Sequence, residues 1–280
     1  MTTTSPDAPR PLNTLLAIAL EAAKTGGAIL MERYARPHDI VHKGRVNLVT
    51  EADPASEAAI RALLTERAPE IPIMAEETEA SHDLPRDQTL WLIDPLDGTT
   101  SFAHGFPMFA VSVACLSGGR PLVGVVYAPL LNECFTAVRG GGAFLNGRPI
   151  HVSTVREPVA ALVATGFPYE RMDCLETLLR RLSRVLTTFQ DVRRGGSAAL
   201  DLSYVACGRL EGYYETRLKP WDSAAGWLVV TEAGGRVTGM DGCGYSPFLP
   251  HLLATNGALH EDLLALMRYS DEEFAGKSGD

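Results

Sequence analysis

Two carboxylates and a glycine-threonine turn stand together in the segment Trp91–Thr100. Asp94 and Asp97 come at the end of a hydrophobic run that predicts a strand. Two acids three residues apart at a strand end repel each other unless a cation lies between them. Gly98 lets a ligand approach the backbone closely. A helical turn that began near Thr99 would offer free amides and a dipole to a phosphate. The segment could therefore supply hard oxygen ligands and an anion-binding turn together.

Three further acids are placed where a fold can bring carboxylates together. Glu76 comes directly after the apolar run Ile71–Ala75, Asp53 stands at a predicted helix start, and Asp222 lies in the small-residue segment Trp221–Gly226. Each acid taken singly is more often a helix cap or a solvated charge. Taken together, they place carboxylates at the ends of several elements. Oxygen ligands without His or Cys suit Mg²⁺ or Mn²⁺ rather than zinc.

Helical and strand-like patterns alternate around these acids. Apolar residues at helical spacing predict a first helix over about residues 12–34. Asp53 is a residue type preferred at the N-cap, and Pro54 suits the first helical position, so the second helix is predicted to begin there. Residues 109–152 are predicted to form an antiparallel meander, with a hairpin at the Asn-Gly pair 146–147.

The second half of the chain returns to an alternation of helices and strands over residues 161–268. We therefore expect a mixed α/β fold of two halves that pack as one functional unit. The N-terminal α+β half, 1–152, would carry most of the predicted metal ligands, and the C-terminal α/β half, 153–280, would complete the site.

The composition of the chain excludes several classes of protein. The chain has 280 residues, of which 46% are hydrophobic, so it can bury a sizeable core and is not a disordered protein. Its formal net charge of −9 argues against a nucleic-acid binder. Five widely spaced cysteines without a CxxC pair predict free thiols in a reducing compartment. The apolar run 15–20 is too short to cross a bilayer. We expect a soluble, cytoplasmic protein without a membrane partner.

Several segments, in order along the chain, resemble the inositol monophosphatase family of Mg²⁺-dependent phosphatases. They are Asn47–Asp53, Ala75–Thr78, Trp91–Phe102, and Trp221–Gly226 with Thr231–Gly235. The resemblance runs from about Leu12 to the last predicted helix. It implies a layered α/β/α/β/α sandwich of the sugar-phosphatase type, a homodimer and inhibition by Li⁺.

The resemblance also implies metal ligands. Glu76, Asp94 and the backbone carbonyl of Leu96 would hold one ion, and Asp94, Asp97 and Asp222 would hold a second. A third, looser ion would depend on Glu76 and water. The implied cofactor is thus two or three Mg²⁺ ions, with Mn²⁺ as an alternative.

Catalytic and substrate-binding residues follow from the same resemblance. Asp53, Thr99 and Glu76 would orient and deprotonate the attacking water. Glu215 and the backbone at Ala198 would contact substrate hydroxyls. The full implied set of substrate-binding residues is Lys43, Asp97, Gly98, Thr99, Ala198 and Glu215.

We therefore expect Mg²⁺-dependent hydrolysis of a small phosphorylated polyol, inositol monophosphate above all, by an activated water. Histidinol phosphate, fructose 1,6-bisphosphate and 3′-phosphoadenosine 5′-phosphate are substrates of resembling members and remain alternatives. A haloacid-dehalogenase-type phosphatase would need one residue between its two acids, and this chain has Pro95 and Leu96 there. A non-enzymatic regulatory protein is disfavoured because every implied ligand is present. The pair Arg193-Arg194 could attract an anion, meet a partner subunit or form a charged loop.

Overall fold

The computed structural model describes residues 9–42, 44, 46–78 and 84–275. Within them lie seven α-helices. These are α1 Leu12–Arg33, α2 Ala52–Arg67, α3 Thr99–Ala103, α4 Leu175–Thr188, α5 Ala198–Ala206, α6 Pro220–Glu232 and α7 His260–Ala275.

Two sheets and one hairpin organise the described strands. The hairpin pairs β1 Ile40–His42 with β2 Leu48–Thr50. The larger sheet has seven strands in sequential order: β3 Ile73–Ala75, β4 Leu90–Asp97, β5 Ala110–Ser117, β6 Arg120–Ala128, β7 Glu133–Val138, β8 Gly142–Leu145 and β9 Arg148–Pro149. Only its β3–β4 pair is parallel. Strands β5 to β9 form the antiparallel meander predicted over residues 109–152, and β4 adds a further antiparallel strand to it.

The smaller sheet has five strands. In chain order they are β10 Leu162–Thr165, β11 Asp191–Arg193, β12 Gly212–Thr216, β13 Arg236–Thr238 and β14 His251–Thr255. The spatial order is β11-β10-β12-β14-β13. The first three of these strands are mutually parallel, and β14 is antiparallel to both of its neighbours.

Successive side chains along each strand face opposite sides of the sheet, so each sheet contributes to a core on both of its faces. In β4, Trp91 and Ile93 face the core that α1 and α2 cover, whereas Leu90 and Leu92 face the core shared with α5 and α6. The second core continues to the five-stranded sheet, whose other face packs on α4 and α7. The order of layers is therefore α/β/α/β/α, which confirms the predicted fold class. The division at residue 152 stays a prediction.

Helix α1 is a core helix. It is the one helix in the described ranges that is long and apolar enough to cross a membrane by length and composition, so the sequence prediction underestimated its apolar span. In the fold, however, its buried residues pack against α2 and the seven-stranded sheet. The close approach needs a small residue, because a Cβ at Gly26 would lie 2.6 Å from Cδ1 of Ile60.

The prediction that Asp53 is the N-cap of the second helix was wrong. Helix α2 begins at Ala52, and Asp53 lies inside its first turn. The hydroxyl of Thr50 accepts a hydrogen bond from the N–H of Ala52 at 3.2 Å, and the chain turns into the helix two residues earlier than predicted.

Other element boundaries also differ from the prediction. The sequence pattern predicts a helix over Asp222–Ala233, whereas α6 begins at Pro220. It predicts a strand that ends at Asp94, whereas β4 continues to Asp97. It predicts a last helix over His260–Arg268, whereas α7 continues to Ala275. The short strands β1 and β11 were not predicted at all, because three-residue strands carry too little periodicity to be recognised.

Candidate active site

The end of β4 is irregular where it carries the two acids. Asp94 pairs with Ser112 and Asp97 with Ala110, so three steps along β4 match two along β5. This irregularity is a β-bulge, and it changes the direction of the chain at the end of the strand. The N–H of Leu96 donates to Oδ1 of Asp94 at 3.0 Å, which fixes that carboxylate within the bulge. Asp94 is buried, so its charge depends on what surrounds it.

Gly98 turns the chain from the bulge into α3. Its φ of +97° is in the left-handed region, and a Cβ there would lie 2.6 Å from the carbonyl oxygen of Met108. Only glycine fits both constraints. Helix α3 then begins at Thr99, as predicted, which puts the first backbone N–H groups of this turn directly beside the acids.

Asp53 and Thr99 form a buried hydrogen-bonded pair. The hydroxyl of Thr99 lies 2.9 Å from Oδ1 of Asp53 and 3.0 Å from the carbonyl oxygen of Leu96, and it can donate to one of them at a time. Oδ2 of Asp53 accepts from the N–H and the hydroxyl of Thr50 at 2.9 and 2.7 Å. Burial raises the pKa of Asp53 to about 6, although these hydrogen bonds oppose the rise. The pair has the form of a base with an orienting hydroxyl.

Asp97 is held by the start of α5. Its Oδ2 accepts from the hydroxyl of Ser197 at 2.6 Å and from the N–H of Ala199 at 2.7 Å. Ser197 also caps α5, since its Oγ accepts from the N–H of Leu200. Burial raises the pKa of Asp97 to about 6, and the hydrogen bonds to Ser197 and Ala199 moderate the rise. One serine therefore orients a candidate ligand and starts a helix.

Asp222 stands in the first turn of α6. One oxygen accepts from the N–H of Lys219 at 2.7 Å, so the acid caps the helix from inside its first turn. Burial raises the pKa of Asp222 well above its ordinary value, and repulsion from Glu76 and Asp97 adds to the rise. Burial likewise raises the pKa of Asp94, followed by repulsion from Glu76, Asp97 and Asp222.

These four carboxylates interact strongly because the fold gathers them in one place. Glu76 follows β3 and Asp94 lies on β4, and since these strands are parallel, both acids leave the same edge of the sheet. Across the described ranges, no three His, Cys, Asp or Glu side chains form a ready-made cage around one point. The donor set nevertheless fits hard divalent cations, because bound cations would relieve the repulsion among buried acids.

One cavity of about 730 Å³ joins the acids to the predicted substrate-binding residues. Glu76, Asp94, Leu96, Asp97, Gly98, Thr99, Ala198, Glu215 and Asp222 all line it. Asp53 lies behind Thr99, one hydrogen bond away. Lys43 lies outside the described residues.

Glu215 stands near the end of β12, at the part of the cavity formed by the second sheet. It accepts a hydrogen bond on Oε2 from the phenol of Tyr213. Burial raises the pKa of Glu215 to about 7, and this hydrogen bond opposes the rise. A carboxyl group whose pKa lies near 7 can accept a hydrogen bond from an alcohol when ionised and donate one to it when protonated.

Three further residues act on the site. The sequence left several possible roles for Arg194 and assigned none to Asp201 or Glu57. Arg194 lines the cavity, and its charge opposes the rise that burial causes in the pKa values of Asp97, Asp201 and Glu215. Asp201 is 3% exposed, and burial followed by the charges of Glu215 and Asp97 raises its pKa. Glu57 accepts from the N–H of Glu77 at 2.7 Å, which orients the segment that carries Glu76.

A weak sequence signal existed for two of the three. Glu57 lies four residues after Asp53, on the same side of α2, and Asp201 lies in the first turn of α5. The position of Arg194 among three acids depends on β12, α5 and β4 coming together, and no local pattern encodes that.

Comparison with known proteins decides the family. The family model described as "Inositol monophosphatase family" matches residues 12–272. This chain belongs to that family. The resemblance drawn from the sequence motifs is therefore confirmed, and the protein is a phosphoric monoester hydrolase of a generally metal-dependent family that acts on small phosphorylated substrates.

Relatives of this inositol monophosphatase family member are similar over nearly their whole length. A Synechocystis inositol-1-monophosphatase is 43% identical over 91% of this chain and 89% of its own. A protein of Escherichia coli named Nus factor SuhB is 40% identical over 92% of this chain and 97% of its own. The solved structure of an inositol monophosphatase from Anabaena aligns with a TM-score of 0.83 at 40% identity, covering 92% and 96% of the two chains.

Proposed function

We propose that this phosphatase hydrolyses inositol monophosphate to inositol and phosphate with Mg²⁺ as its metal. The observation that carries the proposal is the set of four acids, Glu76, Asp94, Asp97 and Asp222, gathered around one cavity beside the Asp53–Thr99 pair. A phosphate monoester is anionic and hydrolyses very slowly in water, so an acidic site can use it only with cations.

Two metal-binding groups of residues follow from the donor set. Glu76, Asp94 and the Leu96 carbonyl would hold one ion, and Asp94, Asp97 and Asp222 a second. A third ion would rest on Glu76, and Mn²⁺ could replace Mg²⁺. When bound, such cations would neutralise the phosphate charge and lower the pKa of the attacking water.

Asp53 and Thr99 act on the attacking water together with Glu76. The hydroxyl of Thr99 orients that water, and the Asp53 carboxylate receives the proton that the water releases, since its pKa of about 6 leaves it ionised at neutral pH. The water oxygen bonds to phosphorus as the ester P–O bond breaks. The leaving alkoxide takes a proton from solvent water, and Asp53 returns its proton to solvent as it ionises again. The amides of Gly98 and Thr99 orient the phosphate oxygens.

The alcohol part of the substrate would lie toward Glu215 and Ala198. Glu215 can hydrogen-bond vicinal hydroxyls, and its pKa of about 7 lets it serve as donor or acceptor. These contacts favour a polyol, with Lys43 as a further contact. Histidinol phosphate or fructose 1,6-bisphosphate would use the same reaction chemistry with different contacts at this end.

The first experiment measures release of inorganic phosphate from four substrates, with Mg²⁺ and with EDTA. The substrates are myo-inositol 1-phosphate, histidinol phosphate, fructose 1,6-bisphosphate and 3′-phosphoadenosine 5′-phosphate. Asp97→Asn and Asp222→Asn should lose most turnover while remaining folded. Near-normal turnover in either variant, or full turnover in EDTA, would contradict the two-metal assignment.

The remaining properties of this proposal concern the whole protein. We propose a cytoplasmic homodimer that is inhibited by Li⁺ and does not bind nucleic acid or membranes. A monomer in light scattering would contradict the homodimer, and undiminished turnover in millimolar Li⁺ would contradict the inhibition. The relatives named Nus factor raise a non-enzymatic binding role as a second candidate. A pure binding role should survive Asp97→Asn, whereas catalysis should not.

A further inference from the structure

An irregular segment, residues 166–173, forms one wall of the cavity. It leaves β10, leads into α4 and contributes eight consecutive lining residues. Its side chain at Tyr169 is hydrogen-bonded to the side chain of Thr100 in α3. The wall therefore faces the metal-binding acids on one side and the substrate end of the cavity on the other.

A single arginine ties this wall to the end of β12. The guanidinium of Arg217 donates to both carboxylate oxygens of Asp173, at 3.0 Å for the Nη1–Oδ1 contact, and Nη1 also donates to the carbonyl oxygen of Glu170. A fork-to-fork pair of this kind fixes orientation as well as distance. We name the Arg217–Asp173 pair, with its contact to Glu170, the wall clamp.

The backbone of Arg217 is strained. Its φ is +65°, in the left-handed region that side-chain-bearing residues rarely adopt. Among the described residues, four non-glycine positions have positive φ, and two of them are Asn, which tolerates it. The N–H of Arg217 donates to the carbonyl of Pro250, which holds the conformation in place. Strain at a non-glycine residue beside a cavity points to a functional constraint.

The position of Arg217 in the chain connects this backbone constraint to the substrate end of the cavity. It follows Glu215, the predicted polyol contact, by two residues. The start of the segment is fixed without the clamp, because β10 pairs with β12 and a Cβ on Gly166 would collide with Oε2 of Glu215. The wall clamp therefore holds the other end of the segment, at Glu170 and Asp173, against the end of β12. That end lines the cavity beside Arg217, so its position bounds the space left for the alcohol part of the substrate.

We propose that the wall clamp is a specificity-determining device: Arg217 and Asp173 position the segment 166–173 so that the cavity accepts phosphorylated polyols of ring size. Neither residue touches the reacting atoms, so both are positioning residues. The kinetic part of this inference rests on the proposed function, whereas the positioning part does not.

The test compares Arg217→Gly and Asp173→Asn with the wild-type protein. Arg217→Gly removes the clamp and also relieves the positive φ, so its melting temperature should not fall. We expect KM for myo-inositol 1-phosphate to rise about 2- to 5-fold, the loss typical of an exposed ion pair, with kcat changed less than twofold. The small substrate glycerol 2-phosphate should show little change in KM. Arg217→Lys, which keeps the charge without the fork, should recover part of the loss.

A matched control comes from a similar ion pair elsewhere on the surface. Arg236 donates to Glu261 at 2.7 Å, and both side chains are about as exposed as those of the clamp. Arg236→Gln should leave KM unchanged. The double variant of Arg217 and Asp173 should be no worse than either single variant, because the two residues act through one contact.

Amide hydrogen exchange supplies a readout that is independent of the substrate. The amides of residues 166–173 should exchange faster in Arg217→Gly and in Asp173→Asn, and not in Arg236→Gln. Unchanged exchange in both clamp variants overturns the inference. Faster exchange with unchanged KM overturns the specificity role alone. If the wild-type protein releases no phosphate from any of the four substrates, the proposed function fails, and the exchange result still decides whether the clamp exists.

Discussion

Replacing Gly98 by Ala tests the turn that joins the candidate metal-binding acids Asp94 and Asp97 to α3. The substitution adds a Cβ 2.6 Å from the carbonyl oxygen of Met108 and 3.2 Å from that of Gly196, at a φ of +97°. Adopting the left-handed conformation costs about 1–2 kcal/mol for a residue with a Cβ. Overpacking against fixed backbone adds about 1–3 kcal/mol. We expect a loss of about 2–5 kcal/mol in the free energy of unfolding.

Gly234 provides the matched control. Its φ is +90°, and a Cβ there would meet nothing within 4 Å. Gly234→Ala should therefore lose only the conformational part, about 1–2 kcal/mol. The two variants should differ by about 1–3 kcal/mol, which corresponds to about 2–4 °C of melting temperature per kcal/mol.

Thermal unfolding and phosphate release measure the two consequences. Gly98→Ala should also lower kcat by about 100-fold, because relief of the contact with Met108 displaces the neighbouring Asp97 and Thr99. Gly234→Ala should leave kcat unchanged. Equal melting temperatures in the two variants, with normal kcat in Gly98→Ala, would refute the reasoning.

Three further predictions follow from the site. Asp53→Asn should reduce kcat, measured by phosphate release, about 10²- to 10⁴-fold. Mg²⁺ should still raise the melting temperature of this variant. Loss of that stabilisation would indicate that Asp53 is itself a metal ligand. Ser197→Ala should lower the free energy of unfolding by about 1–2 kcal/mol, because α5 loses its N-cap. It should also raise the Mg²⁺ concentration needed for half-maximal activity, because Asp97 loses the hydroxyl that orients it. An unchanged Mg²⁺ dependence would show that Ser197 does not orient Asp97 for metal binding. In metal-free protein, Glu215→Gln should stabilise the fold relative to wild type by an amount that grows as pH rises from about 4.5 to about 7, because the pKa of Glu215 is raised in the folded state and its ionisation therefore destabilises that state. The difference in the free energy of unfolding, measured with urea, should reach about 3 kcal/mol. A difference that does not vary with pH would contradict the raised pKa.

Local sequence patterns were sufficient for the core of the site. The strand that carries Asp94, the Gly98 turn and the start of α3 at Thr99 are all specified within ten residues, so their prediction needed no tertiary information. The same holds for the meander over β5 to β9, since turn residues and strand alternation act between neighbours in the chain. Helix boundaries were predicted less accurately, because hydroxyls such as that of Thr50 can move a helix start, which lies two residues earlier than predicted in α2.

Contacts between distant segments could be decided only by the tertiary structure. Ser197 and Asp97 are a hundred residues apart, and the three acids around Arg194 come from β4, α5 and β12. The wall clamp joins residues 44 positions apart in the sequence. Neither periodicity nor turn chemistry reports such pairs, because both describe neighbours within a few residues. The sequence by itself therefore determined which acids are present and how each local element delivers them. Which charges share one cavity was decided by the packing of the two sheets across α5 and α6.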